Sequence, residues 1–112
     1  MSKQYKTVYQ VCDGANFPAF NTLAEAEAYL TKMDRVDSGL TAYAGHPDGA
    51  EVHYWVSLYD DRLPDRYTQA DLERCVGEGD SCPQIRPVAV LLDYEPDNSP
   101  ATAPRIIPEI DV

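Results

Sequence analysis

Basic residues are scarce in this 112-residue sequence: nine lysines and arginines stand against 19 aspartates and glutamates, for a net charge of −10. Nucleic-acid binding rests on Lys and Arg neutralising phosphates, so this balance repels phosphate backbones and acidic membranes and argues against direct contact with either. The deficit is uneven. Residues 1–35 hold four acids and four bases, which cancel, whereas residues 36–112 hold 15 acids and five bases and carry the whole excess. Such a field attracts basic surfaces. No export signal is expected either, because Met1-Ser2-Lys3-Gln4-Tyr5 is polar where an apolar segment would be needed. No apolar run approaches the roughly 20 residues that cross a bilayer. The expectation is a soluble chain in the cytoplasm, its own cell's or a host's.

Cysteines are few: Cys12, Cys75 and Cys82, with no C-x-x-C pair and neither histidine at ligand spacing from a thiol. An odd count without an export signal points to reduced thiols, and the spacing to no zinc site; no metal or cofactor is expected. In an oxidising setting Cys75 and Cys82 would close the loop C-V-G-E-G-D-S-C. What is plentiful is apolar material, 44% of residues with 10% aromatic. That suffices for one domain with a real core, burying about two-thirds of the unfolded chain's surface.

Residues 5–12, Y-K-T-V-Y-Q-V-C, are β-branched and aromatic and predict a strand ended by Asp13-Gly14. Thr22-Leu23-Ala24-Glu25 is a capping box, and Leu23, Ala26, Leu30 and Met33 recur at helical spacing, predicting a helix over about 22–34. After Asp37-Ser38-Gly39, a strand over 40–45 leads to His46-Pro47-Asp48-Gly49, a type I turn signature that pairs it with 51–60. His46 reads as a turn residue. Thr68 and Asp71 cap a short second helix with Leu72, Cys75 and Val76 on one side and Gly77 as its stop. Pro87 opens a last strand with Val88, Val90, Leu92 and Tyr94 on one face. From Pro96 onwards prolines recur every fourth residue, so 96–112 is an extended tail, although it carries Ile106, Ile107, Ile110 and Val112.

The order β-α-β-β-α-β makes residues 1–95 an α+β domain that resembles the ferredoxin-like split βαβ unit. That likeness implies a four-stranded antiparallel sheet with the first and third strands central and both helices on one face. The third strand, within E-V-H-Y-W-V-S-L-Y-D-D, sets Val52, Tyr54, Val56 and Leu58 on one side. His53, Trp55, Ser57 and Tyr59 fall on the other, the expected helix-free face. RNA-recognition modules stack bases on such a face, but their K/R-G-F/Y-G-F-V-x-F run is absent and the charge has the wrong sign.

Three other covers remain. The proline-rich tail would strap Trp55 with its isoleucines. A second copy would pair face to face: the element order resembles dimeric α+β barrels, some of them cofactor-free monooxygenases, isomerases or lyases, which implies a homodimeric enzyme using His53, Trp55 and Asp60. No second acid–base group converges on them by spacing. In size, acidity and lack of a catalytic motif, finally, the chain resembles the small inhibitors of phages and mobile elements, the anti-CRISPR proteins and DNA mimics. This resemblance implies a non-enzymatic interaction module bound to a basic, nucleic-acid-binding protein surface. Asp60, Asp61, Asp65, Glu73, Glu78 and Asp80 would supply carboxylates at phosphate-like spacings, with Trp55, His53 and Tyr59 as anchors.

Overall fold

A computed structural model describes residues 4–13, 17–78 and 83–96. The first strand forms where its β-branched and aromatic residues predict it, β1 (Tyr5–Cys12). It is followed by β2 (Ala19–Phe20), α1 (Leu23–Lys32), β3 (Arg35–Tyr43), β4 (Glu51–Ser57), α2 (Gln69–Glu78) and β5 (Gln84–Leu91). The fold is α+β: two helices and one antiparallel sheet in the order β2-β1-β5-β4-β3. No helix among these residues is long and apolar enough to cross a membrane.

Among the described residues five strands stand where four were expected, and their order is not the ferredoxin-like one. β5 lies between β1 and β4, pairing with β1 from Tyr5↔Leu91 to Cys12↔Gln84. Only His53↔Ile85 and Tyr54↔Gln84 join β4 to β5, with the Trp55 N–H donating to the Pro83 carbonyl at 2.8 Å. Proline has no N–H for a ladder and is at home where one side of a strand is unpaired. The β4 ladder stops short of Pro87, which leaves the β1–β5 and β3–β4 pairs as two halves with a short seam. The extra strand is two residues long, held by the Val11 N–H donating to the Pro18 carbonyl at 2.8 Å. Nothing so short has a period to read.

The helices pack on opposite faces, not on one. Trp55 and Val56 are neighbours on β4, so their side chains point to opposite sides of the sheet. Trp55 packs with Val11, Ile85 and with Ala26 and Leu30 of α1. Val56 packs with Leu72 and Cys75 of α2. On α2's side of the sheet, at the β1–β5 half, Val8, Val88 and Val90 form a third buried cluster with Ala19 and Tyr94. Tyr94 is buried there although β5 runs three residues earlier than expected, whereas Leu92 is exposed.

Local signals fare well. The Glu25 N–H donates to Thr22 Oγ1 at 3.2 Å, and the Thr68–Asp71 box closes both ways, at 2.8 Å from the Thr68 N–H and 3.3 Å from the Asp71 N–H. Gly49 N–H donates to the His46 carbonyl at 2.9 Å, closing the expected turn. His46 is buried beneath it: Nδ1 accepts from the Asp48 N–H at 3.1 Å and Nε2 lies 3.2 Å from Thr7 Oγ1. With Nδ1 accepting, the ring proton sits on Nε2 and donates to Thr7, which pins the turn onto β1. Gly77 does not stop α2, which continues to Glu78.

Asp37-Ser38-Gly39 does not precede the second long strand but lies within it. Between Asp37↔Trp55 and Thr41↔His53, three residues of β3 oppose Tyr54 alone, a bulge that preserves side-chain parity. Ser38 is fully buried, and its Oγ donates to the Tyr54 carbonyl at 2.5 Å. The Ser38 carbonyl accepts from Gln69 Nε2, which ties the start of α2 to the bulge. Gly39 has φ +82°, and a Cβ there would meet Gln69 Nε2 at 3.0 Å. Gly39→Ala should therefore cost about 1–3 kcal/mol from backbone strain and the displaced Gln69, read as a lower denaturant midpoint with an unchanged slope.

Candidate protein-binding surface

Trp55, expected on an open face, is 4% exposed. α1 covers it, and its Nε1 has no hydrogen-bond partner among the described residues. The face on which the α+β-barrel reading rests thus carries a helix at this point. His53, on the same side and opposite Thr41 and Ile85, is half-buried. Of the three anchors expected from sequence, Tyr59 is the one that reaches solvent, at 72% exposure; Tyr43 and Tyr67 are exposed as well.

Two turns meet beneath it. α1 ends at Met33, and the chain reverses through Asp34 in the left-handed conformation, φ 62°. This is the usual way for a helix to end, although glycine or asparagine more often takes the position. The other turn leaves β4 at Ser57. The Leu58 N–H donates to the Asp34 carbonyl at 3.0 Å, and the Tyr59 hydroxyl donates to Asp34 Oδ2 at 2.5 Å. Asp34, by accepting that bond and by its charge, pushes the Tyr59 phenol above its ordinary range. The phenol therefore stays a neutral donor at physiological pH. Met33 and Leu58, the chain neighbours of Asp34 and Tyr59, are 40% and 43% exposed.

Further acidic residues follow Tyr59 in the chain, and they are not equivalent. Asp60 accepts from Arg62 Nε at 2.9 Å and Nη2 at 2.6 Å, and from the Arg62 N–H at 2.9 Å. Asp61 and Asp65 are exposed on the same loop, as is Glu73 on α2. Asp71 is engaged by the cap and by Arg74 at 3.1 Å. Glu78 is the last residue of α2. Asp80, Cys82 and the tail from residue 97 lie outside the described residues. Arg35, whose charge acts on the Tyr59 phenol, is committed to Asp13 at 3.3 Å and to the Met33 carbonyl. Cys12 is half-buried, and burial raises its thiol pKa against the pull of Arg86.

The hydrogen bonds from Arg62, foremost those of its side chain, hold Asp60 below the usual carboxylate range. A folded-state pKa lowered in this way stabilises the fold at pH above the unfolded value of about 3.9 and is lost as pH falls through the folded value. Asp60→Asn should therefore lower the denaturant midpoint near neutral pH, by less than about 1 kcal/mol for so exposed a pair. The gap from the parent should close as the pH drops below about 4.

Sequence reasoning singled out Tyr59, Asp60, Asp61 and Asp65, which the fold does bring to one loop, but missed Met33, Asp34 and Leu58. Met33 continues the helical spacing of Leu23, Ala26 and Leu30, yet it is exposed where those that pack on the sheet are not. Its exposure follows from α1 ending there. Among the described residues, no three His, Cys, Asp or Glu side chains are placed to hold a metal ion. No protein-family model matches this sequence, and no curated protein or solved structure is similar to it.

Proposed function

We propose that this chain is a non-enzymatic, acidic interaction module, an inhibitor of the anti-CRISPR or DNA-mimic kind that acts in the cytoplasm by occupying a basic, nucleic-acid-binding surface of another protein. The observation that carries this reading is the end of the sheet at Ser57. There an exposed tyrosine bonded to Asp34 and two exposed apolar side chains are followed along the chain by the exposed Asp61 and Asp65, at the start of a segment whose acids carry the net charge. Interfaces use this combination: an aromatic anchor with apolar neighbours, and a charged rim that steers the encounter. Asp60 contributes least to the outward field because Arg62 offsets it. Of the anchors expected from sequence, Trp55, His53 and Tyr59, only Tyr59 is exposed.

Capture from cell lysate on the immobilised chain tests this. Retained proteins should be basic, should elute between about 50 and 500 mM salt as charge is screened, and should be released by added duplex DNA. Retention that ignores both salt and DNA, or no retention, would count against it.

A further inference from the structure

We propose that the surface formed by the Tyr59 ring, the Asp34 carboxylate, Met33 and Leu58 receives an arginine side chain of the partner in preference to a lysine. This rests on the reading of the chain as a binder of basic protein surfaces, and it names the group that is bound.

Tyr59 is exposed but tethered. Its backbone N–H donates to Ser57 Oγ at 3.1 Å, and its hydroxyl donates to Asp34 Oδ2 at 2.5 Å, which restrains the side chain before binding. An electron-rich ring face held beside a carboxylate suits a planar cation that stacks and donates at once. Guanidinium does both. It is also weakly hydrated, whereas an ammonium is a compact, strongly hydrated charge. Met33 and Leu58 supply apolar surface for the aliphatic stem. The same loop already shows how its carboxylates take a guanidinium, because Arg62 bridges both oxygens of Asp60 at 2.9 and 2.6 Å. Arg35 does not compete, since Asp13 and the Met33 carbonyl engage it.

The test uses the full chain with deca-arginine and deca-lysine peptides, measured by calorimetry at one salt concentration. Deca-arginine should bind about fivefold more tightly, the scale of one exposed stacked cation. Tyr59→Ala should bring its affinity down to that of deca-lysine and leave deca-lysine binding almost unchanged, whereas Asp34→Asn, which also removes a charge, should weaken both peptides and deca-arginine the more. Asparagine tolerates the left-handed conformation at position 34, and thermal melts of both variants should match the parent. Equal affinities in the parent would overturn the arginine preference while leaving the acidic-surface reading in place. Binding of neither peptide would remove both, and a preference that survives Tyr59→Ala would overturn the assignment to this surface.

Discussion

Trp55→Ala should cost about 3–5 kcal/mol of folding stability, the range for emptying a large aromatic site in a core. The side chain is 4% exposed between α1 and the sheet, and its removal strips contacts from Val11, Ala26, Leu30 and Ile85 together. The result separates a core residue from a surface anchor, because an anchor on an open face could be truncated with little loss of stability. A denaturant midpoint near the parent's would mean that α1 does not cover this face. Trp55→Phe should be far milder than the alanine change: it keeps a ring and removes an indole N–H that is buried without a partner.

The second large effect concerns association. Reversing Asp61 and Asp65 together to lysine should slow binding to a basic partner by roughly tenfold or more at low salt, with dissociation changed much less, because charges around an interface act mainly on the encounter. The matched control is Glu51 with Asp93. Both are exposed, and Glu51 begins β4 at the far end from Ser57, about 20 Å away along an extended strand. Reversing that pair alters net charge equally but should slow association only modestly. Stopped-flow traces at several salt concentrations decide between them. Equal effects of the two pairs would mean that the acids act only through total charge, as a solubilising shell.

Much of this fold was legible where one stretch of chain settles its own structure. β1, α1 and the His46–Gly49 turn follow from strand propensity, a capping box and a proline-glycine turn, all satisfied within a few residues. The arrangement of these pieces was not legible, since it depends on which strand edges meet. Pro87 ends the seam between β4 and β5, and the bulge at Asp37–Thr41 sits inside what reads as a break. Yet E-V-H-Y-W-V-S contained a warning. A strand with one wet face alternates, and one buried on both faces does not. Val52, Trp55 and Val56 carry the second pattern, and two helices on opposite faces answer it.

The binding surface was half legible for a related reason. Tyr59, Asp61 and Asp65 share one loop and could be grouped by sequence. Asp34 joins them only through hydrogen bonds between distant parts of the chain, its carboxylate accepting from Tyr59 across 25 positions and its carbonyl from the Leu58 N–H. Whether an acid is outward or already satisfied also escapes sequence: Asp60 and Asp61 are adjacent, and only Asp60 is taken by Arg62.

Mapping a basic probe onto the chain tests the central claim most directly. Backbone amide shifts of the full chain, followed during titration with deca-arginine, should change at residues 33–37 and 58–66 and saturate together. The far end, at Tyr43, Glu51 and Leu91 to Asp93, should stay still. Shifts spread evenly over every acidic residue, or concentrated at that far end, would contradict the assignment of the Tyr59–Asp34 surface as the place where this protein meets its partner.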